Sequence, residues 1–103
     1  MEKFVEDGQV AVLYSPSFGA GWSTWNSNKD IIFDKRIVKK VLAKKHSEIT
    51  EEWMKKIGYK NIYCGGAEDL TIIWLPISSK FIINEYDGFE SIELYDDINF
   101  ITA

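Results

Sequence analysis

Residues 70–75, LTIIWL, carry the strongest strand signal in the chain. The run is rich in β-branched and aromatic side chains, which favour a pleated, half-buried backbone. Pro76 ends the run, since proline has no amide hydrogen to donate to a neighbouring strand. We predict a buried strand here, with Trp74 either in the core or at a sheet edge beside a pocket or a dimer interface.

Toward the C-terminus the sequence continues to favour strands. Residues 80–86, KFIINEY, follow a short Ser-Ser loop, and Asp87-Gly88 is a turn signal. Ser91–Tyr95 then alternates, with Ile92 and Leu94 on one side. Because the connections are short, an antiparallel meander is the simplest topology.

Toward the N-terminus the pattern changes to helices. Lys35–Lys45 carries one apolar stripe among lysines, and Asp34 before it is a good N-cap, which predicts an amphipathic helix. Ser47 or Thr50 caps a predicted second helix that ends at Gly58.

Three further runs are strand candidates. The run Gln9–Tyr14, QVAVLY, predicts a buried first strand. Short strands are also predicted at Ile31–Phe33 and at Tyr59–Cys64. Together the elements predict an α+β fold, with an antiparallel sheet of about four to six strands and two short helices on one face. At 103 residues, positions 1–103 are expected to form a single domain.

Composition and charge exclude several classes of protein. Hydrophobic residues make up 46% of the chain, which argues against disorder, and the net charge of −4 argues against binding of long nucleic acids. Basic residues concentrate between Lys29 and Lys60, whereas after Lys80 the charged residues are all acidic: Glu85, Asp87, Glu90, Glu93, Asp96 and Asp97. With one cysteine, no leader pattern and no membrane-spanning run, we expect a cytoplasmic protein.

The segment from Ser15 to Asn26, SPSFGAGWSTWN, lacks helical or strand periodicity and is the predicted ligand-binding loop. Gly19 and Gly21 permit close approach to the backbone, and successive bare amides can form an anion-binding concavity. The loop also supplies polar groups and flat rings suited to a nucleotide, namely Ser15, Ser23, Thr24 and Asn26, and Phe18, Trp22 and Trp25.

Two interpretations of the loop tryptophans stay open at this point. Trp22 and Trp25 either stack on a ligand or fold back onto the sheet and close a small core. The loop also lacks the Lys-Ser/Thr pair of a P-loop, so no standard phosphate motif decides between them.

The sequence offers few candidate catalytic residues, and we assign no catalytic residue, metal ligand or cofactor. His46 reads as a cation at a helix end, and Cys64 as a structural thiol. The acidic pair Glu68-Asp69 is a candidate for a metal site or for acid–base chemistry, but a turn with exposed carboxylates is the simpler interpretation. An enzyme acting through Glu68, Asp69 or His46 is the last-ranked of three hypotheses.

The motifs LYSPSFGAGWSTWN, FDKR and EYDG resemble those of a family of small proteins common in bacteriophage genomes. The resemblance extends to phage sponge proteins, which sequester cyclic oligonucleotide signals and so silence CBASS-type host defence. It implies a binding module without turnover, a cyclic dinucleotide ligand such as cyclic GMP–AMP, and action in the host cytoplasm.

The predicted site comprises the loop with Tyr14 at the end of the preceding strand, and Trp74. Arg36 and its neighbour Lys35 are the nearest candidates to supply charge for phosphate, and the alternative for Arg36 is a surface position on the lysine-rich helix face. A homo-oligomer is expected, because sharing a site between subunits suits so short a chain. The alternative is a protein-interaction module that inhibits a host protein, with exposed tryptophans as anchors.

Overall fold

A computed structural model of the chain describes residues 2–94. It confirms the α+β class with antiparallel strands and two short helices. The strands are β1 (Val5–Glu6), β2 (Gln9–Tyr14), β3 (Thr71–Pro76), β4 (Phe81–Tyr86) and β5 (Phe89–Leu94), and the helices are α1 (Lys35–Leu42) and α2 (Glu51–Lys56). Four 3₁₀ helices span Ser23–Trp25, Lys29–Ile32, His46–Glu48 and Ala67–Asp69.

The strands divide between two sheets rather than forming one meander. β2 lies between β1 and β3, and its pairing with β3 runs from Gln9 opposite Pro76 to Tyr14 opposite Thr71. β4 and β5 form a separate hairpin. Asp87 and Gly88 close this hairpin with φ of 50° and 84°, the positive values that a two-residue hairpin turn requires.

One hydrophobic cluster lies between the first sheet and the helices. Ala11, Val12 and Leu13 of β2 are buried, and α1 contributes its predicted apolar stripe. Phe81 and Ile92 of the hairpin pack on the edge of this cluster half-buried. The loop after β2 thus begins at the end of a buried strand and contacts the hairpin.

Helix boundaries follow local signals. The Asp34 carboxylate accepts a hydrogen bond from the Arg36 amide as the predicted cap of α1. Thr50, rather than Ser47, caps α2 by accepting from the Trp53 amide. The first helix ends at Leu42, three residues earlier than predicted, and the chain turns at Lys44 with φ of 58°.

Two predicted strands are wrong. Ile31–Phe33 instead overlaps the 3₁₀ helix Lys29–Ile32, which begins at the side-chain cap of Asn28. Tyr59–Cys64 does not pair as a strand, since Asn61 has a φ of 56° that interrupts an extended backbone. Tyr95, at the end of the last predicted strand, and Asp96 and Asp97 lie outside the described residues.

No helix within residues 2–94 combines the length and apolar character that crossing a membrane requires.

Candidate functional site

The loop Ser15–Asn26 is clamped between β2 and the β4–β5 hairpin. The Glu90 amide donates to the Ser15 carbonyl at 2.8 Å, and the Gly19 amide donates to the Asp87 carbonyl at 2.5 Å. Tyr14, half-buried at the end of β2, leads into the first of these contacts. The loop is thus part of a rigid scaffold rather than a free connector.

Amides of the loop converge on an anion, and that anion is the protein's own Glu90. One carboxylate oxygen accepts from the Ser15 amide at 2.8 Å, and the other accepts from the amides of Trp22 at 2.9 Å and Thr24 at 3.0 Å. The Thr24 hydroxyl donates to the same second oxygen at 2.6 Å. We call these four donors and Glu90 the amide cradle.

The cradle changes what the loop can offer a ligand. Glu90 is completely buried, and its carboxylate is satisfied by backbone dipoles, as in anion-binding nests. An external phosphate therefore has no access to the amides of Ser15, Trp22 or Thr24 while Glu90 is in place.

Glycines allow the loop to pack closely against its neighbours. A Cβ on Gly21 would lie 2.7 Å from the Trp25 ring, so that ring rests on the loop's own backbone. A Cβ on Gly88 would lie 2.5 Å from the Ala20 nitrogen, which explains why the hairpin turn can touch the loop. Gly19 has a φ of 72°, the left-handed conformation expected of a loop glycine.

The two tryptophans take opposite roles. Trp22 is fully buried, and its indole nitrogen donates to the Ile31 carbonyl at 3.1 Å, so it belongs to the core. Trp25 remains 40% exposed and packs against Tyr63, with ring centroids 5.2 Å apart. We call Trp25 and Tyr63 the ring pair.

Asn26 fixes the ring pair in position. Its side-chain nitrogen donates to the carbonyls of Trp22 and Tyr63, and its side-chain oxygen accepts from the Tyr63 amide at 2.8 Å. These bonds give the Tyr63 backbone the partners that a neighbouring strand would have supplied. The amide of Asn26 is therefore used structurally.

Phe18 belongs to a second exposed aromatic surface. Its ring, 66% exposed, lies 5.0 Å from Phe89 and 6.2 Å from Tyr86 between centroids. We call Phe18, Tyr86 and Phe89 the aromatic tip. Exposed Glu85 and Asp87 flank Tyr86 in the sequence, so the tip has acidic surroundings.

The serines of the loop are buried. Ser15 and Ser23 are at most 1% exposed, and the Ser15 hydroxyl has no hydrogen-bond partner among the described atoms. Lys29, just after the loop, donates from its ammonium to the carbonyls of Ser23 at 2.6 Å and Asn26 at 3.1 Å. A positive charge is thereby held against the loop.

Arg36 is engaged by a neighbouring carboxylate. Its guanidinium donates twice to the buried Asp34 side chain, at 3.0 and 2.7 Å, and the Tyr59 hydroxyl donates to Asp34 at 2.6 Å. Burial raises the pKa of Asp34, but the hydrogen bonds from Arg36 and Tyr59 outweigh burial and hold that pKa below its usual value. Burial and the bond to Asp34 raise the pKa of Tyr59.

Trp74 is not brought to the loop. It pairs with Ala11 in the sheet, three residues along β3 from the strand end at the loop, which is about 10 Å. Its ring contacts Phe4 and borders a shallow depression with Glu6, Asp7 and Gln9. Two of these three neighbours are acidic, which disfavours an anionic ligand there.

The candidate acid–base residues have the following surroundings. A ring nitrogen of His46 is 3.0 Å from the Leu70 carbonyl, and Glu68 and Asp69 are exposed on their own 3₁₀ helix. Burial raises the pKa of the Cys64 thiol to about 11, which keeps it protonated at neutral pH. Across residues 2–94, no group of three or more His, Cys, Asp or Glu side chains is arranged to hold a metal ion.

Sequence reasoning missed Glu90, Tyr63 and Lys29 as parts of this region. A signal for Glu90 was present, since alternation places it on the same strand face as Ile92 and Leu94, toward the core. Tyr63 gave no such signal, because its contact with the loop depends on a segment that is not a strand.

Comparison of the chain with protein-family models, with curated proteins and with solved structures gives no match.

Proposed function

We propose that this protein is a non-catalytic binding protein that sequesters a cyclic dinucleotide such as cyclic GMP–AMP, as a phage sponge acting against CBASS defence in the host cytoplasm. The observation that carries the proposal is the ring pair, an exposed tryptophan packed on an exposed tyrosine and fixed by Asn26. A base stacked on such a ring contributes about 1–3 kcal/mol in single-stranded nucleic-acid sites.

Phosphate charge would be met by Lys29. Its ammonium is fixed by two carbonyls and forms no ion pair among residues 2–94, so its positive charge is not neutralised by a described carboxylate. Glu90 fills the amide cradle, and Arg36 is committed to Asp34. Lys29 therefore replaces Arg36 as the phosphate-binding residue of the proposal.

A second copy of the chain would complete the site. A cyclic dinucleotide presents two bases and two phosphates, whereas one chain presents one ring pair and one lysine fixed to the same loop. A twofold-symmetric dimer would offer two ring pairs and two lysines to the two halves of the ligand. The proposal therefore includes the expected homo-oligomer, and it needs no catalytic dyad.

Isothermal titration with a panel of cyclic di- and trinucleotides tests the proposal. We expect Trp25→Ala to weaken binding by about 5- to 150-fold, the factor equivalent to the loss of one base stack. The melting temperature should change little, because the ring is partly exposed. Phe18→Ala is the matched control, since it removes another exposed ring of the same loop and should leave binding unchanged.

Two outcomes would reject this function. One is the absence of binding at micromolar concentration across the whole panel by protein with a normal melting curve. The other is recovery of cleaved nucleotide after the complex is denatured, which would indicate an enzyme. Native mass spectrometry of the complex should show a dimer, or a higher oligomer, that retains intact ligand.

The aromatic tip favours a second candidate function, a protein-interaction module that inhibits a host protein. Tyr86 is 75% exposed, and rings fixed in this way commonly act as anchors at the centre of an interface. Its acidic neighbours favour a basic partner. Affinity purification from host lysate with wild type and Tyr86→Ser tests it: a stoichiometric protein retained by wild type and lost by the variant supports inhibition.

A further inference from the structure

An apolar cleft lies between the second half of the loop and β4, and Lys29 is the one residue of its lining that the nucleotide proposal also uses. Its volume is about 270 Å³. Pockets for drug-sized ligands usually hold about 300–1,000 Å³, so this cleft suits a smaller molecule. It is lined by Ser23, Thr24, Lys29, Ile32, Phe33, Phe81 and Ile83.

The cleft walls are mainly hydrocarbon. Phe33 and Phe81 meet edge to face with ring centroids 6.1 Å apart, and Ile32 and Ile83 provide branched aliphatic surface. Phe33, Phe81 and Ile83 are half-buried, so part of their apolar surface still faces solvent. A ligand ring or branched chain laid against these side chains would remove that surface from water.

The polar part of the cleft carries one fixed positive charge. The Lys29 ammonium donates to the carbonyls of Ser23 and Asn26, and an ammonium has three hydrogens, which leaves one for a ligand. The Thr24 hydroxyl donates its hydrogen to Glu90, so its oxygen can act towards a ligand as an acceptor. The cleft therefore suits a ligand that has an apolar group and a single negative charge at one end.

We propose that this cleft binds a small amphipathic monoanion, namely a carboxylic acid attached through a short linker to an aromatic ring. The carboxylate lies on the Lys29 ammonium, and the ring lies against Phe33, Phe81 and Ile83. A carboxylate carries the single charge that one lysine balances, whereas a phosphate monoester would bring close to two. The assignment does not rest on nucleotide binding.

The test compares two probes that share the ring and the linker and differ at the terminal group, a charged carboxylate in one and a neutral amide in the other. Indole-3-acetate and its neutral amide, indole-3-acetamide, are titrated into the wild-type protein while backbone amide signals are followed by NMR. We expect the acid to bind about tenfold or more tightly than the amide, the factor that one charge-assisted hydrogen bond contributes. The largest shifts should occur at Thr24, Lys29 and Ile83.

Variants then locate the charge effect. Lys29→Met keeps the aliphatic stem and should abolish the preference for the acid, whereas Lys29→Arg should retain much of it. Lys80→Met is the matched control, because it removes an exposed lysine outside the cleft lining and should behave as wild type.

The wild-type comparison decides the proposal even if Lys29→Met fails to fold. Equal affinity for acid and amide, no detectable binding of the acid at millimolar concentration, or shifts confined to other surfaces would each overturn it. Because no nucleotide is used, these results are independent of the outcome with cyclic dinucleotides.

Discussion

Two buried carboxylates hold this protein together in different ways. Asp34 is 2% exposed and Glu90 is not exposed at all. Asp34 is held by side chains, an arginine two residues away and a tyrosine hydroxyl, together with one amide of its own helix. Glu90 is held by three backbone amides and one hydroxyl of a loop 66 to 75 positions earlier in the chain.

The difference separates local from long-range stabilisation. Much of the set of partners around Asp34 forms as soon as α1 forms, and its charge is neutralised by Arg36. The amide cradle forms only when the loop and the β4–β5 hairpin are packed against each other. Glu90 therefore ties together two parts of the fold that no local signal connects, and it presents Phe18 beside the ring of Phe89.

Among the substitutions that test this difference, Glu90→Gln is expected to lower the stability of the protein most. Glutamine would place an NH2 group against at least one amide of the cradle, so that this amide and the NH2 hydrogen facing it would both be buried without an acceptor. Each such group costs about 1–3 kcal/mol, so the free energy of unfolding should fall by about 2–6 kcal/mol. Urea denaturation measures the loss.

Glu93→Gln is the matched control for that experiment. Glu93 lies on the same strand but is exposed, where its carboxylate accepts from the Asn84 side chain. We expect less than about 0.5 kcal/mol of destabilisation. Equal effects of the two substitutions would contradict the assignment of Glu90 as the anchor of the loop.

Asp34→Asn should have an intermediate effect that depends on pH. The pKa of Asp34 in the folded protein is below its ordinary value, so ionised Asp34 stabilises the fold at and above the pKa of an unfolded aspartate, about 3.9. At pH 7 we expect the free energy of unfolding of the wild type to exceed that of the variant by about 1–3 kcal/mol.

That advantage should diminish as pH falls below about 4 and protonates the folded carboxyl group. Thermal melts of both proteins between pH 2 and pH 7 measure the difference, with buffers of constant ionic strength. An advantage that stays constant across this range would show that the Asp34 charge does not contribute.

Thr24→Val is expected to have the smallest effect. It removes one hydroxyl donor from the cradle and leaves the amides and the shape of the side chain in place. A loss of about 1 kcal/mol, or about 4–8 °C in melting temperature, is expected. Thr71→Val, whose exposed hydroxyl donates to the Asp69 carbonyl, is the control and should change the melting temperature less.

The sequence by itself determined the elements whose signals are local. The strand at LTIIWL, the cap at Asp34 and the turn at Asp87-Gly88 all depend on residues within a few positions of one another. The density of glycine, tryptophan and small polar residues also marked Ser15–Asn26 as a special loop. These features together were sufficient to predict the α+β class.

Local patterns failed where a segment's partners lie elsewhere in the chain. Tyr59–Cys64 has the composition of a strand, but its backbone bonds go in part to the Asn26 side chain. The division of the strands into two sheets likewise depends on which edges meet, and hydrophobic alternation does not encode that choice.

Tertiary structure alone decided the roles of the loop residues. Trp22 and Trp25 are the same residue type three positions apart, yet one ring is enclosed by the core and the other lies on Gly21 beside Tyr63. The loop composition predicted an anion for its amides but could not identify it. Glu90 fills that position because the hairpin delivers its carboxylate to the amides, and the energy of burying a charge requires such partners.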